Sequence, residues 1–418
     1  MKKEIVRNIS WVLYDFANSA YVLIIAAVAF PLYYRQVALG GGPNADRTWG
    51  MIVALALLIA GLLSPFIGAV VDASGRRRQV MALATLTCVG STIALFFAAP
   101  SNWYIGAMLF IIGQVAWVIA TMLYDSYLKT LTKGRSSNFL SGLGWGIGYA
   151  GGILCFALTY SFLKDGFAPD NLANYRTAFL ITGLFYLVFA APALLVLPSK
   201  DMVKANNSNS PWRAYHNVFS TIKNWKAHRD VFVFLLGFYL LSDGITTVIY
   251  FTSIFLSKTF AMPVSKILLM TVIIQAVGIV TTPSFGWLAD KFSEKCILLT
   301  TVIIWCGTVS VMAFATSSSA PILMSVLIGL VIGSSQSICR SIYARIVPAE
   351  KVAEFFGFNA LAGRVATLFG PLIFGIVSSH TGNQRIGLIS LLAFFVLGGS
   401  IIMMSNFREN PSTPVENF

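Results

Sequence analysis

Residues Gly68-Ala-Val-Val-Asp72-Ala-Ser-Gly75-Arg76-Arg77-Arg78 form a polar knot between two apolar stretches, and Gly286-Trp-Leu-Ala-Asp290-Lys291-Phe-Ser-Glu294-Lys295 echoes it 218 positions later. Pro65 and Pro283, Gly68 and Gly286, and Asp72 and Asp290 all keep that offset. A repeat of this length means two similar halves in one chain. Glycine lets two helices close up, while aspartate and the basic run suit a tight turn whose charges pair with helix ends or phosphates. Gly68, Asp72, Gly75, Arg76 and Arg77, with Gly286, Asp290 and Lys291, are the expected gating residues. The second copy lacks a counterpart of Gly75 and carries Glu294-Lys295, so its latch is expected to be the weaker.

The stretches on either side of each knot are apolar, and so is most of the chain. Of 418 residues 57% are hydrophobic and 11% charged, with a mean hydropathy of +0.77, where a soluble domain carries about a quarter charged residues. Twelve runs have helix-spanning length: 10–34, 48–71, 80–99, 103–124, 137–163, 177–197, 231–257, 266–289, 296–315, 321–344, 354–378 and 385–407. The expectation is an all-α polytopic membrane protein with twelve transmembrane helices in two pseudo-symmetric six-helix bundles. Residues 1–199 would form the first bundle, 200–229 a cytoplasmic linker and 230–418 the second bundle.

A net charge of +13 raises the question of a nucleic-acid partner, and the distribution of charge answers it. With the N-terminus on the inner side, 20 of the 29 Lys and Arg fall in inner loops and 7 in outer ones. The other two, Arg340 and Arg364, lie inside runs. That is the positive-inside bias of a membrane protein with both termini cytoplasmic. The linker carries Trp212, Tyr215, Phe219, Ile222 and Trp225 among Arg213, Lys223, Lys226 and Arg229, a spacing that suits an amphipathic helix on an anionic leaflet.

Chemistry-bearing motifs are few. Cys88, Cys155, Cys296, Cys306 and Cys339 sit in or beside apolar runs without a Cys-x-x-Cys pair, and His216, His228 and His380 are scattered. No metal or cofactor is expected. No phosphate-binding loop is present, so ATP-driven pumping by this chain is not expected, and neither Ser/His/Asp nor metal spacing points to an enzyme. The Met-Lys-Lys-Glu opening imitates a secretion signal, but the run after it is too long and contains Asp15, so that span is expected to be retained.

The Gly-x-x-x-Asp loop between the second and third runs resembles the signature loop of the major facilitator superfamily. Tyr14-Asp15-Phe16-Ala17-Asn18-Ser19-Ala20-Tyr21 resembles the opening of a facilitator branch that includes the autophagy-related vacuolar amino-acid effluxers of fungi. Ser141-Gly-Leu-Gly-Trp-Gly-Ile-Gly-Tyr149-Ala-Gly-Gly152, Arg340-Ser-Ile-Tyr-Ala-Arg345-Ile-Val-Pro348, and Glu354-Phe-Phe-Gly-Phe358 leading to Gly363-Arg364 extend the resemblance over nearly all of the chain. It implies the twelve-helix facilitator fold and export or exchange of small solutes. In many facilitators an arginine near the inner end of the fourth span pairs with the loop aspartate. Here Asp125 stands there, with Lys129 one turn on as the expected partner of Asp72.

Polar residues inside a span are costly and point to a pathway. Asp15, Asn18 and Ser19 share one helix face at i, i+3 and i+4, and Asp243, Thr246 and Thr247 repeat the arrangement in the seventh run, with Asp243 nearer the midplane. Tyr21, Gln114, Trp145, Tyr149, Gln336, Arg340, Asn359 and Arg364 complete the candidate substrate and proton pathway. Arg340 and Arg364 each want an anion: Asp15, Asp125, Glu354 or a substrate carboxylate. Arg345 is read as snorkelling at the interface. Gly144, Gly148 and Gly152 form a small-residue stripe matched, at offset 218, by Ala362, Ala366 and Gly370.

These readings combine into a secondary active transporter working by alternating access, driven by protons carried on Asp243 or Asp15. The resemblance implies a small organic solute such as a neutral amino acid as the substrate. The setting is a bacterial cytoplasmic (inner) membrane and the state a monomer. Proton symport of another metabolite, a membrane sensor without net transport and a membrane-embedded enzyme are the competing readings.

Overall fold

The computed structural model describes residues 2–40, 43–98, 102–132, 136–199, 229–366 and 369–405. Residues 200–228, and with them most of the expected linker helix, lie outside it. In lipid an apolar run can satisfy its backbone only within itself or in a closed barrel, and here every run becomes helix. α1 (Lys2–Tyr21) passes through a π-helical stretch, Val22–Val28, into α2 (Ala29–Tyr33). Then follow α3 (Pro43–Ser74), α4 (Arg77–Ala94), α5 (Trp103–Thr132), α6 (Ser137–Leu163) and α7 (Leu172–Val196). Beyond the linker come α8 (Arg229–Thr259), α9 (Val264–Lys291), α10 (Glu294–Phe314) and α11 (Ala320–Ile346). The chain closes with α12 (Val352–Ala366), α13 (Phe369–Thr381), α14 (Gln384–Ser390) and α15 (Leu392–Met404). Among the described residues eleven helices are long and apolar enough to cross a membrane, and Phe369–Ser378 is a shorter apolar helix. The eleventh expected run is thus shared by α12 and α13, and the twelfth by α14 and α15.

Contacts gather the chain into two compact units. The first holds Met1–Tyr127, Ile147–Ser220 and Pro348–Leu361; the second holds Leu128–Gly146, Thr221–Val347 and Ala362–Phe418. Each unit therefore takes a segment from the other half of the repeat: the start of α12 joins the first, and the start of α6 joins the second.

In the first unit α7 packs along α1 and α4. Tyrosines of α1 staple it from inside: the Tyr14 hydroxyl lies 2.8 Å from Thr85 Oγ1 and 3.0 Å from the Tyr186 hydroxyl, and Trp11 Nε1 donates to the Tyr124 carbonyl at 3.0 Å. A buried phenol needs such a partner, which is why these rings come with polar mates. The Tyr175 hydroxyl reaches the Ala29 carbonyl at 3.2 Å, just past the π-helical stretch. In the second unit α9 packs along α11, α8 along α15 and α10 along α11. Trp305 stacks on Phe395 at 5.5 Å between centroids and donates to Ser335 Oγ at 3.0 Å. Leucines such as Leu58, Leu62, Leu83, Leu86 and Leu397 are exposed, an apolar surface that only lipid can solvate.

Candidate functional site

Glycine and aspartate four residues apart lie on one helix face, and both repeat copies aim that face at the first turn of another helix. On α3 a Cβ at Gly68 would stand 2.8 Å from Glu354 Cα and closer still to the Ala353 carbonyl, so only glycine permits the approach. Asp72, one turn on, accepts the backbone N–H of Ala353 at 3.1 Å and of Glu354 at 2.8 Å. On α9 a Cβ at Gly286 would stand 2.9 Å from the Asn138 carbonyl carbon, and Asp290 accepts the N–H of Asn138 at 3.1 Å and of Phe139 at 2.7 Å. Each aspartate thus satisfies donors that a helix start leaves open and meets the positive end of its dipole. A cap of this kind stabilises by about 1 kcal/mol.

The basic residues of the loops take the opposite helix ends. Arg78 donates to the carbonyls of Leu195 and Leu197 at the end of α7, at 2.9 and 3.1 Å. In the second copy Lys295 donates to the Ser405 carbonyl just beyond α15, at 3.0 Å. Arg77 lies 3.7 Å from Asp72, donates to the Ser126 carbonyl at 3.3 Å and covers the Tyr127 ring. Arg76 is exposed at the turn that Gly75 closes with a φ of +64°. The second turn has no such glycine; Ser293 caps α10 instead, accepting from Cys296 N at 3.1 Å. Lys291 lies over Trp287 and Phe292, at 4.9 and 5.7 Å.

Lys129 donates to the carbonyls of Arg345 at 2.9 Å and Val347 at 2.6 Å, and Asp72 accepts backbone N–H groups and lies 3.7 Å from Arg77. Two expectations need correcting here. Arg345 does not merely snorkel: it forms a bidentate pair with Glu294, which is 2% exposed. Asn138 completes the group, its amide donating to Glu294 and to Asp290 at 2.8 Å each. The Glu294 that departs from the first copy is therefore a member of the cluster beside the second cap.

The second correction concerns the small-residue stripe. Close approach is at Gly142 and Gly146, where a Cβ would stand 2.6 Å from the Thr282 carbonyl oxygen and 2.8 Å from that of Ile279, and at Gly148 and Gly151 against α1. The counterpart of Gly142 is Gly357, pressed on Pro65 with a Cβ position 2.6 Å from its Cα. The register of these two helices is thus 215 near their starts, not 218.

Among pathway candidates, Asp15 is buried, with Asn18 Nδ2 donating to its Oδ1 at 3.1 Å and Ser19 bonding back to its carbonyl at 2.8 Å. The Tyr21 hydroxyl donates to Gln114 Oε1 at 3.2 Å. Tyr149 and Asn359 are half-buried in the same unit. In the second unit Arg340, 9% exposed, donates to Ser141 Oγ at 2.9 Å and to the Ser141 carbonyl at 2.8 Å, and lies 5.8 Å from the Trp145 ring. Asp243 is buried and accepts the Gly370 N–H at 2.8 Å, while Thr247 bonds back to the Asp243 carbonyl at 2.7 Å. Thr246 and Gln336 are half-buried; Arg364 lies on α12, its side chain outside the described residues. Sequence reasoning missed Asn138, Glu294 and Ser141. A Ser-Ser-Asn run before α6 was the available signal for the first, since such residues favour helix starts.

Solved structures of transporters share this fold. The chain matches the proton:xylose symporter XylE with a TM-score of 0.74 at 16% identity, over 98% of this chain and 96% of that one. It matches the fucose:proton symporter FucP of E. coli with a TM-score of 0.72 at 14% identity, over 98% and 99%. The fold is that of the major facilitators, and the molecule is a multi-pass membrane transporter of that class, not an enzyme. The chain belongs to the vacuole effluxer Atg22-like family, whose model matches residues 48–138 and 129–411. Among its relatives, the uncharacterized MFS-type transporter YxiO of Bacillus subtilis is 26% identical over 99% of this chain and 98% of its own length. Autophagy-related protein 22 of Yarrowia lipolytica is 21% identical over 93% and 77%.

Proposed function

We propose that this chain exports or exchanges a small zwitterionic solute, with neutral amino acids as the substrate class, using a proton gradient across a bacterial inner membrane. It acts as a monomer with both termini cytoplasmic and the 200–229 segment linking two bundles. The observation that carries the reading is the pair of aspartate caps, Asp72 on Ala353 and Glu354 and Asp290 on Asn138 and Phe139. Alternating access needs contacts that hold one state and yield to the other. Caps worth about 1 kcal/mol each are of that size. The effluxer description of the family supports the direction. A guanidinium laid over an indole, as Arg340 over Trp145, suits a solute carboxylate, and a buried aspartate suits a coupling proton.

The test is counterflow in proteoliposomes loaded with neutral amino acids, sugars or small organic acids in separate batches. Exchange of a labelled neutral amino acid, accelerated by an imposed pH gradient, is expected. Exchange confined to sugars or to anions without an amino group would overturn the substrate class, and indifference to the gradient would overturn proton coupling.

A further inference from the structure

Asp243 lies near the middle of α8 and is 2% exposed. Its two carboxylate oxygens have unequal surroundings. Oδ2 accepts the N–H of Gly370 on α13 at 2.8 Å. Oδ1 has no hydrogen-bond partner among the described residues. Space is the second constraint. A Cβ at Gly370 would stand 2.7 Å from Oδ1, 3.0 Å from the Asp243 carbonyl oxygen and closer still to Thr247 Oγ1. The carboxylate is pressed between α8 and α13, with no room on that side for an organic solute.

What fits an unpartnered buried oxygen in so tight a place is a proton. On Oδ1 it turns an acceptor into a donor. Thr247 Oγ1, whose own hydrogen goes to the Asp243 carbonyl at 2.7 Å, crowds the same Gly370 position.

We propose that Asp243 is the site of the coupling proton, and that α13 reads its protonation through the Gly370 N–H without Asp243 touching the transported solute. The inference rests on the proton-coupled reading above. Ionised, Asp243 holds α13 at Gly370 by a charge-assisted bond; protonated, it leaves a neutral bond about half as strong. The proton enters from water on one side, forms O–H at Oδ1 and leaves to water on the other.

Among the described residues few other charges face this position from the elements packed on α8; α12, which meets Tyr239 of α8 at Gly363, also carries Arg364, whose side chain lies outside the described residues. α15 carries none, α13 only His380 ten residues beyond Gly370, and α14 only Arg385, which donates to the Ala313 carbonyl. α11 brings Arg340 and Arg345, engaged with Ser141 and Glu294, and α9 brings Lys266, Asp290 and Lys291 near its two ends. Tyr239, one turn before Asp243 on α8, is the neighbouring phenol in the chain.

The unequal geometry of the two repeats supports the choice of Asp243 over Asp15. Gly148 meets Ser19 and the Asp15 backbone much as Gly370 meets Thr247 and Asp243. Yet Gly148 follows Gly142 by six residues, and Gly370 follows Gly357 by thirteen. Along the chain, the glycine that meets Asp243 thus lies seven residues farther past its counterpart glycine than the one that meets Asp15.

The experiment uses the full chain, wild type beside Asp243→Asn and Thr247→Val, with two readouts. The first needs no solute: infrared difference spectra on acidification should show the carbonyl stretch of a protonated carboxyl, lost in Asp243→Asn and shifted in Thr247→Val. The second is transport in proteoliposomes, where Asp243→Asn should lose pH-gradient-driven accumulation and the pH dependence of counterflow. Persistence of the band in Asp243→Asn, or surviving gradient-driven accumulation, would overturn the proposal. If Asp243→Asn does not fold, an unshifted band in Thr247→Val overturns it instead. Should the wild type move no solute at all, the transport reading falls while the infrared band still decides the proton site.

Discussion

Arg345 and Glu294 show how far a single residue can be read from its neighbours in the chain. A lone arginine near the end of an apolar run looks like a snorkelling side chain, and nothing local says that a glutamate 51 positions earlier lies opposite it. In the folded chain the pair is bidentate, with Glu294 buried, Arg345 half-buried and the Asn138 amide donating to the same carboxylate. Removing one partner strands the other charge, so Arg345→Ala is expected to destabilise the protein by about 3–5 kcal/mol. Adding Glu294→Gln to it should restore part of that loss. Chemical unfolding in detergent micelles measures both, and equal stability of Arg345→Ala and wild type would mean that the pair is not formed. Lys129 teaches the same lesson from the other side. It donates to the backbone carbonyls of Arg345 and Val347, groups that every residue owns and no sequence pattern can single out.

At the scale of the element, the repeated loop works by recognising helix ends: aspartates take N-termini, and Arg78 and Lys295 take C-termini. This was legible, because Gly68 and Asp72 are one turn apart and recur together at 286 and 290. The register of the helices that receive the aspartates was not. An offset of 218 holds for α3 and α9, but the contacting pairs Gly142 with Pro283 and Gly357 with Pro65 follow 215. A periodic pattern of small residues in a single sequence does not say which of two faces is the tight one, and α6 uses both. Gly68→Ala should therefore disrupt the contact of α3 with the start of α12 and cost well over 1 kcal/mol, since its Cβ would fall on backbone. Gly90→Ala, on an exposed face of α4 with nothing within 4 Å, should be neutral or stabilising by up to about 1 kcal/mol through helix propensity. Thermal unfolding of the two variants side by side checks the contrast, and similar midpoints would refute it.

For the whole molecule, composition and the twelve apolar runs were enough to give an all-helical membrane protein, and the repeat to give its duplication. The two contact units were not legible, because they exchange pieces of α6 and α12 across the halves, and such an exchange depends on pairings between distant segments. What the duplication requires is that both copies of the loop face the same side of the membrane. In a chain freed of its five cysteines, single cysteines at Arg76 and Phe292, both exposed, can be probed with a maleimide that does not cross lipid. The account predicts that both are labelled from one side only, and from the same side, while a cysteine at Asp165, in the turn after α6, is labelled from the other. Labelling of positions 76 and 292 from opposite sides would contradict the duplicated architecture and the transport cycle built on it.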